Sequence, residues 1–167
     1  MDVKSYIKIP NLMLTNDFLG NHEDFFVVID DFERLEGIAD RVDLNYIEGA
    51  IVIAYHGNLI LDFNLWDLVA ATWAYLINTI EELLENGKAY MYFPDQPIKI
   101  SMEEKGKEYI KVVIGNGEYG NHVLPRGELL NALVNGAEHF FLIIKNEFVT
   151  ENFDFHLEQI TNIKRKL

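Results

Sequence analysis

The chain of 167 residues contains no cysteine, which excludes disulfide frameworks, thiolate catalysis and cysteine-based zinc sites. Only four prolines and two serines occur, so there is no flexible linker rich in these residues. The length suits one hydrophobic core. We therefore predict a single domain that spans residues 1–167.

Secretion signals and long apolar runs are also missing. Lys4, Lys8 and Pro10 interrupt the first residues, which lack the apolar centre of a signal peptide. No window approaches the ~18 consecutive apolar residues that a membrane helix needs. These absences lead us to expect a cytoplasmic protein without a membrane partner.

Basic side chains are scarce in the first half. The net charge is −13, and residues 17–87 contain fifteen acidic side chains against only Arg34 and Arg41. Such a charge repels nucleic acid and attracts basic proteins, so we expect a basic protein partner and no nucleic acid. The predicted partner-binding carboxylates share the densest acidic stretch. They are Asp30, Asp31, Glu33, Glu36, Asp40, Asp43 and Glu48.

The periodicity predicts an α+β fold in which an antiparallel sheet of about six to seven strands packs on a long helix and on C-terminal helices. Apolar residues 25–29 indicate one strand, and Glu48-Gly49 suggests a bulge in the next. His56-Gly57 joins two strand-like runs and predicts a hairpin.

A Trp-containing helix is predicted for residues 64–86. Asn64 is expected to cap it, Asp67 to lie at the positive end of its dipole, and Trp66 and Trp73 to share its buried face. Gly87 is the expected C-terminal stop.

Four alternating runs between residues 88 and 124 predict a meander with a turn at Asn116-Gly117. Tyr90 and Tyr92 share the wet face of the first of these strands. Because tyrosine suits a partly wet interface, both are added to the predicted partner-binding residues. Asn135-Gly136 leaves open whether residues 125–146 form one helix or two. A last helix is expected from about Thr150, with Glu151 in its first turn.

Catalytic signatures are absent from the sequence. Gly115–Gly120 matches G-x-G-x-x-G, but an Asn-Gly hairpin explains its glycines, and no helix is expected to begin inside it. The histidines lack the spacing of a helical zinc site. We therefore predict no catalytic residue, no cofactor and no metal.

Three functional hypotheses follow. The first is a non-enzymatic acidic protein-binding module, one version of which is an immunity-type inhibitor of a bacterial toxin. The alternatives are a structural or oligomerising domain, and a small hydrolase using dispersed Asp, Glu and His. A hydrolase should bring carboxylates from separate segments together in a pocket.

Overall fold

A computed structural model describes residues 1–150 and 153–167 of the chain. It is an α+β fold with two antiparallel sheets rather than the single sheet that the sequence predicted. The first sheet has the strand order β2-β1-β3-β4, with β5 also pairing with β3. Its strands are β1 (Asp2–Lys8), β2 (Phe26–Val28), β3 (Glu48–Tyr55), β4 (Asn58–Leu61) and β5 (Asp67–Leu68).

The second sheet is the predicted meander. Its four strands follow chain order, so each one pairs with the next. They are β6 (Lys88–Tyr92), β7 (Lys99–Lys105), β8 (Tyr109–Ile114) and β9 (Gly120–Pro125). Gly115 to Gly117 form a short 3₁₀ turn between β8 and β9, and the chain continues directly into β9. The G-x-G-x-x-G match is therefore a strand connection, as predicted.

Within the described residues, four α-helices complete the fold: α1 (Phe32–Glu36), α2 (Val69–Asn86), α3 (Arg126–Glu147) and α4 (Asp154–Lys164). Helix α3 is continuous through Asn135-Gly136, which settles the question left open by the sequence. Glycine is needed there because a Cβ at residue 136 would lie 2.7 Å from Val3 Cγ1 and 3.0 Å from Trp73 Cη2. The last helix begins four residues after Thr150, and Glu151 lies outside the described residues.

The central helix begins later than predicted. Asn64 does not cap it: residues 63–65 form a separate 3₁₀ turn, which Asp62 caps by accepting a hydrogen bond from Asn64 N at 2.8 Å, and the N-cap of the central helix is Leu68, without a side-chain cap. Trp66 has extended backbone angles, so it does not share a helix face with Trp73. Asp67 belongs to β5, opposite Gly49, and directly precedes the N-cap Leu68, so it lies before the first turn of the helix rather than within it. The C-terminal stop at Gly87 is confirmed, with φ at +71°.

The predicted hairpin at His56-Gly57 is confirmed. Both residues have positive φ, as the two-residue turn between β3 and β4 requires. The predicted bulge at Glu48-Gly49 is wrong, because the register of β3 shifts between Ile53 and Ala54 instead.

One hydrophobic core takes side chains from both sheets and from helices α2, α3 and α4. Trp73 is fully buried within it, and its Nε1 donates to Ser5 Oγ of β1 at 2.9 Å. A small second cluster around Phe26 and Phe63 packs on the other face of the first sheet. The acidic segment between β2 and β3 is thus carried by the first sheet, and the Tyr90/Tyr92 strand belongs to the second.

Candidate functional site

The segment after β2 carries most of the predicted partner-binding carboxylates on its exposed side. Asp31 begins α1, because its carboxylate accepts a hydrogen bond from Arg34 N at 3.2 Å. Leu35 and Ile38 then point into the core. We call the outward set the acidic surface. It consists of Asp30, Asp31, Glu33, Glu36, Asp40 and Asp43.

Few cations balance the acidic surface. The guanidinium of Arg34 donates to the backbone oxygen of Glu23 at 2.7 Å, and that of Arg41 donates to the oxygen of Gly37 at 3.2 Å. Arg41 also lies 3.9 Å from a carboxylate oxygen of Asp40, where the exposure of both groups leaves little net attraction.

Histidine supplies one further contact, from His139 Nε2 to Asp30 Oδ1 at 2.6 Å. Within residues 1–150 and 153–167, no ion pair involves Asp31, Glu33, Glu36 or Asp43. The negative charge of these four groups is therefore open to a partner.

An aromatic side chain that the sequence reasoning missed lies within the acidic surface. Phe32 is the first residue of α1, and 51% of it is exposed. The sequence pattern placed it at the end of a strand. Asp31 is the signal that could have assigned Phe32 to a helix, because an Asp before a helical turn acts as a cap and the helix begins at the next residue. Aromatic side chains, phenylalanine among them, are enriched at protein interfaces relative to the rest of the surface.

Glu48 does not belong to the acidic surface. It begins β3, and its carboxylate forms an ion pair with Lys8 Nζ at 2.9 Å. Together with Asp43 it lines a pocket of about 230 Å³ to which Lys8 and Arg41 also contribute. The charge of Glu48 is therefore balanced by Lys8 and is not offered to a basic partner.

Tyr90 and Tyr92 lie on the second sheet, apart from the acidic surface in the fold. Both are about half exposed on β6, and their ring centroids are 6.1 Å apart. The ammonium group of Lys99 lies over the Tyr90 ring, 4.1 Å from its centroid. The predicted binding residues therefore divide into an acidic set and the separate pair Tyr90 and Tyr92, beside which the structure places Lys99.

A second pocket gathers carboxylates from three segments that are distant in sequence. Glu48 of β3, Asp67 of β5 and Asp95 of the β6–β7 connection line it with Trp66 and Gln96, and its volume is about 230 Å³. The sequence could not predict this meeting, because it depends on β5 pairing with β3 and on the second sheet docking beside it. A convergence of this kind is what the hydrolase hypothesis required.

The bonding of Asp67 gives this pocket a structural role. The residue is 5% exposed, and its carboxylate accepts from Leu68 N at 2.6 Å and from Asp95 N at 3.1 Å. Gln96 Nε2 reaches the second oxygen at 3.3 Å and the backbone oxygen of Trp66 at 2.6 Å. These bonds fasten β5 to the turn of the second sheet, and they use the lone pairs that acid–base chemistry would need.

The same burial affects protonation. Desolvation raises the pKa of the Asp67 carboxyl above its ordinary value of 3.8, although the hydrogen bonds that it accepts oppose this. A hydrogen bond between the Tyr46 hydroxyl and Asp95 raises the pKa of Tyr46 in turn. The first of these shifts makes stability depend on pH.

We expect the contribution of Asp67 to the free energy of unfolding to fall as pH rises from 3.8 through its raised folded-state pKa. The folded protein holds that proton more tightly than the unfolded chain does, so the stabilisation from this group is fully present below 3.8 and is lost as pH rises through the folded-state pKa. Asp67→Asn should remove this part of the pH dependence, as measured by urea unfolding at a series of pH values.

The matched control for this experiment is Thr79→Val. It removes a buried hydrogen bond, from Thr79 Oγ1 to the backbone oxygen of Tyr75, without removing an ionisable group. Thr79→Val should lower stability equally at every pH. If Asp67→Asn gave the same pH-independent change, the inferred titration of Asp67 would be wrong.

The chain matches no family model, and comparisons with curated proteins and with solved structures find no match either. Across the described part of the chain, no helix combines the length and apolar character needed to cross a bilayer. Nor does that part hold a group of three or more His, Asp or Glu side chains arranged to bind a metal ion.

Proposed function

We propose that this protein is a non-enzymatic binding module whose acidic surface docks a basic surface of a partner protein. The observation that carries this proposal is the exposed carboxylates of Glu33, Glu36 and Asp43, which form no ion pair within the described residues, near the exposed ring of Phe32. Charges of one sign accelerate association with an oppositely charged protein and fix its orientation. The aromatic ring supplies the apolar contact that holds the complex together.

One version of this proposal is an immunity-type inhibitor that acts in the cytoplasm of a bacterium and blocks a basic toxin. Size, acidity and the absence of a catalytic motif support it. A toxin encoded beside this chain should then arrest growth when expressed alone, and co-expression of this chain should prevent the arrest. Co-expression without protection would contradict the immunity version and leave the wider binding proposal to its own test.

The binding proposal is tested by reversing charge within the acidic surface. We expect the variant Asp30→Lys, Asp31→Lys, Glu33→Lys, Glu36→Lys to bind a basic partner at least ~100-fold more weakly, since close charge pairs dominate such complexes. The partner is first isolated with the unaltered chain from the source organism. Its affinity is then measured by calorimetry at low and at physiological salt, and binding should weaken as salt increases.

A matched control makes the same change in net charge elsewhere. Glu108, Glu118, Glu147 and Glu158 are exposed and lie outside the acidic surface, and lysine at all four should leave the affinity within about threefold. Circular dichroism checks that both variants are folded. Equal loss of affinity in the two variants, or none in either, would contradict docking through the acidic surface.

A further inference from the structure

Strand β6 is an edge strand whose outer side pairs with no other strand. Sheet pairing within the described chain joins β6 to β7 alone. Phe93 N donates to Ile98 O at 3.0 Å, and Glu104 N donates to Gly87 O at 2.8 Å. These two bonds fix the register of the pair, in which every second residue of β6 bonds to β7.

It follows that Ala89 and Met91 bond to β7, whereas the backbone groups of Tyr90 and Tyr92 point away from it. Among the described residues, no side chain or backbone group forms a hydrogen bond with the N–H or C=O of these two tyrosines. A row of such free groups is a template on which another strand can pair. Native edge strands are often blocked by proline, a bulge or charged side chains; β6 has no proline and no register shift within Lys88–Tyr92, and its one charged residue is Lys88 at the start.

Two grooves border this edge. One lies between α2 and β6, has a volume of about 460 Å³, and is lined by Tyr75, Asn78 and Thr79 from the helix side. The other lies over the outer face of the second sheet and has a volume of about 610 Å³. Both share Glu82 and Tyr90, so they flank the same stretch of strand. A strand added to β6 would place alternate side chains in the two grooves.

The outer face of the second sheet is basic, in contrast to the chain as a whole. Its charged side chains are four lysines and one glutamate, namely Lys88, Lys99, Lys105, Lys111 and Glu103. Glu103 pairs with Lys105 at 2.9 Å. Lys88, Lys99 and Lys111 form no ion pair within the described residues and all line the larger groove. Three unpaired ammonium groups favour an anionic occupant.

We propose that the β6 edge binds an extended acidic peptide segment of a partner as a fifth strand of the second sheet. The free backbone groups of Tyr90 and Tyr92 supply the hydrogen bonds, and the three lysines select Asp or Glu at alternate positions of the peptide. This surface is separate from the acidic surface and carries the opposite charge. A second copy of the chain fits the edge poorly, because pairing β6 with itself would bring two basic faces together in one sheet.

The probe for this proposal is a displayed library of random ten-residue peptides selected against the whole chain. The expected result is enrichment of peptides that alternate Asp or Glu with β-branched or aromatic residues and lack proline. One enriched peptide is then synthesised with a fluorescent label, and its affinity is measured by anisotropy. Failure to enrich acidic peptides of this kind would overturn the proposal, whether or not Lys- and Arg-rich peptides are also recovered through the acidic surface.

Backbone pairing is tested on the peptide itself, without altering the protein. In an added strand, every second amide of the peptide points to β6 and the others point away. N-methylation of the amides that point to β6 should weaken binding by about tenfold or more, which corresponds to at least one lost hydrogen bond, whereas N-methylation of the other set should leave binding nearly unchanged. Equal effects in both sets would exclude strand addition. The amide resonances of Tyr90 and Tyr92 should also shift in NMR spectra when the unmodified peptide is added.

Selection by charge is tested on the protein. We expect a triple variant to bind the acidic peptide about tenfold more weakly or worse, because three attractive contacts become repulsive. It combines Lys88→Glu, Lys99→Glu and Lys111→Glu. The four-lysine variant of the acidic surface should bind this peptide as the unaltered chain does, so the two proposals fail independently.

Other occupants give different results. A deca-thymidine oligonucleotide that bound more tightly than the peptide, in a lysine-dependent way, would replace the peptide proposal with single-stranded nucleic acid. A dimer in sedimentation velocity that disappeared in Tyr90→Pro would replace it with self-association. Besides the tyrosine ring, Tyr90→Pro removes a backbone N–H that points to the open edge, so the β6–β7 ladder keeps its bonds.

Discussion

Replacing Trp73 by alanine is expected to lower the free energy of unfolding by about 4 kcal/mol, because a large fully buried side chain leaves a cavity that the core cannot refill. The ring lies where three elements meet. It belongs to α2, donates to Ser5 of β1, and packs so closely on Gly136 of α3 that a Cβ there would lie 3.0 Å from its Cη2. A cavity at such a junction would loosen α2, β1 and α3 together.

Urea unfolding followed by circular dichroism measures this effect. Two milder variants separate packing from hydrogen bonding. Trp73→Phe keeps an aromatic ring but leaves the Ser5 hydroxyl, in a residue that is 3% exposed, without its indole donor, whereas Ser5→Ala removes the acceptor. A double-mutant cycle of these two should give a coupling of about 1 kcal/mol. A loss below ~1 kcal/mol for Trp73→Ala would show that the ring is not part of a tightly packed core.

Local signals in the sequence were sufficient for about half of the fold. The hairpin at His56-Gly57 and the helix stop at Gly87 depend on backbone angles that only certain residues accept, so the residue types alone predict both features. The meander is equally predictable, since buried Ile100 and Met102 alternate with the partly exposed Lys99 and Ser101. Each of these predictions needed only neighbours along the chain.

The errors arose where long-range pairing overrides a local pattern. Residues 64–68 have the apolar spacing of a helix, yet β5 pairs with β3 and holds Asp67 and Leu68 in extended form. The single predicted sheet failed for a related reason. Helix α2 carries the chain from β5 to β6, and strands separated in this way need not join the same sheet.

The candidate site was predictable as composition but not as arrangement. The dense acidic stretch could be read directly, and the structure keeps most of it exposed on one segment. What the sequence could not show is which charges find partners inside the protein. Glu48 meets Lys8 across 40 positions, and Asp67 meets Asp95 across 28. The exposed position of Phe32 was not predicted, because Asp31 is compatible both with the end of a strand and with the cap of a helix.

Replacing Gly49 by alanine should lower the free energy of unfolding by about 3 kcal/mol or more, through overpacking against atoms that cannot move aside. Gly49 lies in the middle of three strands, opposite Ile7 of β1 and Asp67 of β5. A Cβ at this position would lie 2.0 Å from the backbone oxygen of Tyr6 and 2.8 Å from Val69 Cγ1. A backbone oxygen has no rotamer to adopt, so relief requires β1 and β3 to separate.

Gly127→Ala is the matched control for this prediction, because it makes the same chemical change where there is room. No heavy atom lies within 4 Å of a Cβ at residue 127, which is in the first turn of α3. Alanine there should leave stability unchanged or raise it by up to ~1 kcal/mol, because it restricts the unfolded chain. If Gly49→Ala were equally well tolerated, the inference that β1 and β3 approach closely at residue 49 would be wrong. A loss of stability in Gly49→Ala but not in Gly127→Ala would show that the pairing of β1 with β3 requires the absence of a side chain at residue 49. That pairing positions Lys8 beside Glu48.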